Sequence, residues 1–305
     1  MNIEVKRINE GIKDHPDEFI NTTNEDYNYR LRKIVDEIIS RKDEKPVILL
    51  SGPSGSGKTT TALMIEKMLD ESGSVTHTLS MDNYFCPLSE EEKALAAEGK
   101  MDLESPLRVD VPLLNSQIEA ISRCEEIEIP KYNFKNSTRE NGRRFQRNKG
   151  ELVIFEGIHA LNPDVIAVPD SKIWKIYVSV RTRVTCGDII LHPSKVRLLR
   201  RMIRDNKFRK RSLRETMNMF VSVEEGENKY IMPYKYRSDF DVDTFMAYEL
   251  SAYKSFFMEH IGELRGIPEL GETITVLEKI GQLDTKLIPP DSLICEFIGN
   301  GSFKY

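Results

Sequence analysis

The stretch Gly52-Pro53-Ser54-Gly55-Ser56-Gly57-Lys58-Thr59-Thr60 carries residue types that hold a phosphate chain. Gly52, Gly57, Lys58 and Thr59 stand at the fixed positions of the pattern G-x-x-x-x-G-K-[ST]. The glycines at 52, 55 and 57 permit positive φ and a close backbone approach to an anion. N–H groups from Ser54, Gly55, Ser56 and Gly57, and then from a helix start at Lys58, Thr59 and Thr60, are expected to face phosphate oxygens. Lys58 adds a point charge near the β- and γ-phosphates, and the Thr59 hydroxyl suits Mg²⁺. A plain Gly/Ser turn before a helix would explain the glycines but not all four fixed positions. The expected ligands are a nucleoside triphosphate, read as ATP, and Mg²⁺.

Three further features bear on what happens to the triphosphate. Asp82 follows a strand-like run and can accept a proton from an attacking hydroxyl; a turn-forming Asp-Asn pair is the competing reading. Glu156 ends the run Leu152-Val153-Ile154-Phe155, where an acidic residue can hold Mg²⁺ directly or through water; an exposed strand-end glutamate is the alternative. Arg197, Arg200, Arg201 and Arg204 recur at i, i+3 and i+4, which reads as one basic helix face. Triphosphate oxygens would give that face anionic company, with Arg209 and Arg211 just beyond it; a solvated basic face is the plain reading.

The elements that must position these groups alternate. Pro46-Val47-Ile48-Leu49-Leu50 reads as a buried parallel strand, and residues 60–69 as the helix after the glycine loop. Strands are expected at 75–80, 152–155, 173–180 and 240–242. Helices are expected at 25–41, after a Ser89/Glu92 capping box closing near Gly99, at 112–123, at 193–206, after a Ser212/Glu215 box to about 223, and at 244–264. Residues 131–150 read as a hairpin turning at Asn141-Gly142. Residues 1–24 look like a polar lead-in, with Ile3-Glu4-Val5 as a short strand. This pattern specifies an α/β fold: three layers around a mainly parallel sheet, of the phosphate-loop NTPase type, with a helical lid at about 194–212 and a small hairpin excursion. The expected division is 1–45 as an N-terminal extension, 46–264 as the main domain and 265–305 as a packed tail.

Bulk composition narrows the classes. A net charge of −5 argues against a general nucleic-acid binder. No apolar run approaches the ~20 residues of a membrane span, and the N-terminus lacks a signal-peptide core. Cys86, Cys124, Cys186 and Cys295 form no C-x-x-C pair, which suits a reducing cytoplasm.

Taken in order, Gly52 to Thr60, Ser80-Met81-Asp82-Asn83-Tyr84-Phe85, Ile129-Pro130-Lys131-Tyr132-Asn133-Phe134, Phe155-Glu156-Gly157-Ile158-His159-Ala160 and Arg200-Arg201-Met202-Ile203-Arg204-Asp205 resemble the uridine kinase and phosphoribulokinase family. The likeness spans about 46–245 and leans to the uridine kinase branch. It implies Asp82 as catalytic base near the metal, Thr59 and Glu156 as Mg²⁺ ligands, and Arg204 and Arg209 as lid arginines on the phosphates. It also implies Glu104, Tyr132, Arg201 and Arg211 around the acceptor, with Glu104 at a ribose-binding position. Asn133 replaces an Asp of that branch, and Ser137 stands where a base-reading His is expected. Ser137 and Arg139 are counted with the acceptor residues, and His159 is a second candidate contact. The tail motif at 292–299 is similar to a bacterial nucleoside kinase-like subgroup in which a tRNA-synthetase-like segment often comes first; with about 45 residues ahead of the kinase module, that segment is not expected.

The expected activity is ATP- and Mg²⁺-dependent phosphoryl transfer to a small-molecule hydroxyl, foremost a nucleoside 5′-hydroxyl, with Lys58, Asp82 and Arg204 at the chemistry. The altered Asn133 and Ser137 leave the base unnamed. A sugar or sugar-phosphate kinase like phosphoribulokinase is the alternative, given Lys131, Lys135, Arg139, Arg143, Arg144 and Arg147 in the hairpin. A non-catalytic ATP sensor is another. No nucleic-acid or membrane partner is expected, and self-association stays open.

Overall fold

The structure is a computed structural model that describes residues 1–304 other than Gly99. The chain begins with β1 (Asn2–Glu4), α1 (Val5–Asp14) and α2 (Pro16–Ser40), then runs β2 (Val47–Ser51), α3 (Lys58–Glu71) and β3 (Thr76–Ser80). A short 3-10 turn, Met81–Tyr84, follows β3. Next come α4 (Glu90–Ala97), α5 (Val111–Ser122), a hairpin of β4 (Ile127–Asn133) and β5 (Thr138–Phe145), and strands β6 (Leu152–Glu156) and β7 (Ile173–Ser179). A small β8 (Arg183–Cys186) and β9 (Ile189–Leu191) lead to α6 (Pro193–Arg209) and α7 (Leu213–Tyr230). Strand β10 (Phe240–Asp243) precedes α8 (Glu249–Glu259), α9 (Ile261–Arg265), α10 (Gly271–Lys279) and α11 (Cys295–Ile298).

Five parallel strands form the central sheet in the order β10-β7-β2-β6-β3. Alternation along the strands divides the core into two layers. Ile48, Leu50, Ile154, Ile176 and Val178 face α2, α3 and α6 to α8, while Val47, Leu49, Val153 and Phe155 face α5 and the hairpin. Both faces are covered, so β2 and β6 are buried along their length and apolar up to the last residue of each, as a parallel sheet requires. Each fully buried Leu or Ile contributes roughly 1.5–3 kcal/mol.

Four expectations about elements change. Residues 1–24 are not a loose lead-in: β1 pairs with β8, Val5 and Ile8 are buried, and α2 begins at Pro16 rather than 25. Pro16 at the first helical position, with Asp17 and Glu18 in the first turn, explains that start. The β4–β5 turn lies at 134–137, with Ser137 at φ 55°, not at Asn141-Gly142. Gly142 instead lets the strands touch beside a bulge: a Cβ there would fall 1.9 Å from the Ile129 carbonyl oxygen. The helix expected at 244–264 starts only at Glu249, because the Thr244 carbonyl accepts from Arg200 and the Asp243 carboxylate accepts from the Phe245 N–H. It breaks at His260 into α8 and α9.

Both capping boxes form, at Ser89/Glu92 and Ser212/Glu215, and α7 continues past Val223 to Tyr230. The closure of α4 near Gly99 lies outside the described residues. The tail is ordered, with Val276, Leu277, Leu293, Ile294 and Phe297 in the main core. Among the described residues no helix is long and apolar enough to cross a membrane.

Candidate active site

Strand β2 delivers the glycine loop to the carboxyl edge of the sheet, where open α/β folds seat ligands. Gly55 and Gly57 take φ of 76° and 85°, and a Cβ on Gly52 would lie 2.0 Å from the Val178 carbonyl oxygen. These positions therefore need glycine. Helix α3 starts at Lys58 and has no side-chain cap from Gly57, so its first N–H groups point out of the loop. Lys58 Nζ donates to the Pro53 carbonyl at 3.2 Å. The buried Ser56 hydroxyl finds no partner among the described residues.

A cleft of about 1120 Å³ opens over this loop. Ser54, Gly55, Gly57, Lys58 and Thr59 line it, and Asp82, Glu104, Glu156, Arg201, Arg204, Arg209 and Arg211 stand on the same wall. Asp82 gets there because β3 ends at Ser80, whose hydroxyl accepts from the Asp82 N–H at 3.3 Å and starts the tight turn. Glu156 is the last residue of β6, paired in register with Leu50 and Ser80.

The charges are crowded and desolvated. Burial, then the neighbouring Asp82, pushes the Glu156 carboxyl up to about 7 against the pull of Lys58. Burial raises Asp82 as well, opposed by Lys58 and Arg209. Burial lowers the Lys58 ammonium, opposed by Glu156, Asp82, Glu296 and Glu104. Glu104 is raised by burial and held back by Arg201 and Lys58.

The basic helix face divides. Successive residues turn by about 100°, so Arg200 and Arg201 leave α6 in different directions. Arg200 is fully buried and forms a forked pair with Glu249, at 2.7 and 2.9 Å. Arg197 is consumed by Glu227 and the Ser54 carbonyl. Of the four arginines expected on one face, only Arg201 and Arg204 reach the cleft. Arg201 donates to the Ser54 hydroxyl, and burial, then Arg204, lowers it to about 10. The fully buried Asp205 gathers Arg204, Arg209 and Arg211 at 3.4, 3.1 and 3.5 Å. Sequence reading used Asp205 only as part of a motif; a lone acid inside an arginine run was the available signal.

The expected acceptor residues separate. Glu104 lies on the wall, its Cβ 2.4 Å from where a Gly226 side chain would begin. Tyr132, Ser137 and Arg139 are not among the wall residues. The Tyr132 hydroxyl accepts from Arg108 at 3.0 Å. The Ser137 carbonyl accepts from the Leu88 N–H. Arg139 pairs with Asp110 at 3.0 Å. Phe134 and Lys135 take the hairpin's place on the wall. Tyr132 still bears on them indirectly, edge-on to Phe134 with ring centroids 5.1 Å apart. His159 is buried behind Glu104 and edge-on to Tyr230; burial lowers it to about 4, and neither ring nitrogen has a side-chain partner among the described residues. Glu296, on the wall beside the start of α3, had no signal in the sequence beyond its tail motif.

The sequence matches the phosphoribulokinase/uridine kinase family over residues 47–251. The chain belongs to that family. A uridine kinase of Lactobacillus helveticus (strain DPC 4571) is 33% identical over 203 residues, covering 65% of this chain and 86% of the relative. A uridine kinase of Staphylococcus haemolyticus (strain JCSC1435) is 31% identical over 196 residues, covering 63% and 84%. A solved structure described as a candidate fructose transport system kinase from Silicibacter sp. TM1040 shares the fold, with a TM-score of 0.54 at 15% identity over 69% of this chain and 98% of that one. This kinase is a phosphotransferase of the phosphate-loop type.

Kinases of this type work with a divalent cation. Among the described residues no group of three His, Cys, Asp or Glu side chains is arranged to hold a metal. Two buried carboxylates, both raised by burial and Glu156 further by Asp82, beside a threonine hydroxyl, nevertheless fit Mg²⁺, which keeps water and takes the rest of its ligands from substrate phosphates.

Proposed function

We propose that this kinase transfers the γ-phosphoryl group of ATP to the 5′-hydroxyl of a nucleoside. The observation that carries the reading is the single cleft whose wall holds Lys58, Thr59, Asp82 and Glu104 together. Loop N–H groups and Lys58 bind the phosphate chain. Asp82, desolvated and raised, accepts the proton of the acceptor hydroxyl as its oxygen bonds to phosphorus and ADP leaves. Glu104 takes a pair of ribose hydroxyls, while Phe134 offers an exposed ring for a base. Arg201, Arg204, Arg209 and Arg211 balance the phosphate charge and exclude water. Thr59, Glu156 and Asp82 are the residues that would hold Mg²⁺, which supplies charge neutralisation at the β- and γ-oxygens.

The basic hairpin supports a sugar-phosphate acceptor less well. Lys131 is paired with Glu140, Arg139 with Asp110 and Arg144 with Glu126, and buried Arg147 is spent on backbone carbonyls. Lys135 alone of the six expected basic residues joins the wall. An acceptor screen with ATP and Mg²⁺, read by ADP release and product mass, tests the assignment. A nucleoside 5′-monophosphate product supports it; turnover confined to sugars or sugar phosphates defeats it.

A further inference from the structure

The tail motif at 292–299 reaches the cleft through Glu296. Glu296 Oε2 accepts from the Thr60 hydroxyl at 2.6 Å and from the Thr60 N–H at 3.4 Å, across a separation of 236 residues. Thr60 is the third residue of α3, among the helix-start N–H groups that Gly57 leaves uncapped. Leu293 closes over the loop: a Cβ on Gly57 would sit 3.0 Å from its Cδ1. Phe297 packs beneath the Arg200 guanidinium, 5.1 Å from ring centroid to carbon, and Arg200 donates to the Gly55 carbonyl at 3.3 Å. On the other side, Lys207 of α6 donates to the Ile298 carbonyl at 3.0 Å. The segment thus bridges the phosphate loop and the helix that carries the lid arginines.

The backbone N–H groups at this place in a phosphate loop cradle the α- and β-phosphates. A carboxylate there is an anion of the right charge on the same donors, beside Asp82 and Glu156, which are already crowded. Two anions cannot share those donors without strong repulsion in a desolvated site. We propose that Glu296 is an internal stand-in for a phosphate: it holds Thr60 while the donor site is empty, and the nucleotide must displace it. The tail then sets donor affinity, and its release frees the segment tied to α6. This inference rests on the donor-site reading but not on the identity of the acceptor.

Titration calorimetry of the full chain with Mg²⁺ and a non-hydrolysable ATP analogue tests it. Losing the competing charged hydrogen bond should tighten binding roughly tenfold in Glu296→Ala, with Glu296→Gln in between. The nucleotide-free Glu296→Ala protein should also melt lower, because the first turn of α3 loses the Glu296 carboxylate as acceptor for the Thr60 N–H and hydroxyl. Binding that is unchanged or weaker in both variants overturns the proposal, since Glu296 would then be a structural cap or a nucleotide contact. In the unaltered chain, hydrogen exchange at 289–299 should speed up when the analogue binds; equal or slower exchange overturns the proposal even if the variants fail to fold. Absence of analogue binding to the unaltered chain defeats the donor-site reading itself.

Discussion

The cleft residues we propose for the donor and those we propose for the acceptor are built from different material. Glu156 ends β6, Asp82 stands two residues past β3, and Lys58 and Thr59 open α3 after the loop that leaves β2; the parallel register brings those strand ends to one edge. A residue's distance from the end of its strand fixes its place in space. Glu104, Phe134, Lys135 and the cleft arginines come from loops and a helix, held by contacts such as Arg201 to Ser54 and Glu104 against Gly226. Their positions depend on partners far away in the chain. The proposed donor site is therefore a property of the sheet, and the proposed acceptor site a property of packing.

Substitutions can sharpen or break this contrast. Asp82→Asn should lower kcat by ~10²–10⁴ while ATP affinity holds within a few-fold, because it removes a proton acceptor and not a phosphate contact. A near-normal kcat would remove the base from the donor edge. Glu104→Gln should raise the acceptor KM by roughly tenfold or more and leave the ATP KM alone, since a charged hydrogen-bond acceptor is lost. An equal rise in both KM values would mean that the two ends are not separate.

The donor edge should also show in stability. The Glu156 carboxyl sits at about 7 when folded and near 4.5 when unfolded. Between those values the folded chain keeps a proton that the unfolded chain has lost. The nucleotide-free protein should accordingly be most stable below about 4.5 with respect to this group and lose stability as pH rises towards 7. Calorimetric melting from pH 5 to 7.5 should show that slope, and Glu156→Gln should flatten it; a parallel slope in the variant would assign the effect elsewhere. The smallest effect belongs to Tyr132→Phe. Its hydroxyl serves Arg108 and not the wall, so ~1 kcal/mol of stability should go in a denaturant titration, with acceptor KM shifted by no more than about twofold. A tenfold rise in KM would return Tyr132 to the acceptor site.

Much of the molecule is legible without coordinates. The glycine loop, the buried strands and the capping boxes depend on interactions within a few residues or on a period of two, and both are written along the chain. The places of Asp82 and Glu156 follow from those strands. Segments whose order comes from distant partners were not legible: α1 and the 16–24 part of α2 pack through sparse apolar positions, and the 244–248 turn exists because Arg200 takes the Thr244 carbonyl. The same holds for function. Spacing alone groups Arg197, Arg200, Arg201 and Arg204, but only the opposing Glu227 and Glu249 decide that two of them are structural. The chemistry of the donor was local and therefore readable from the chain; Arg139 taken by Asp110, Tyr132 taken by Arg108, and Glu296 seated on Thr60 are choices among charged and polar partners far apart in sequence, which only tertiary packing makes.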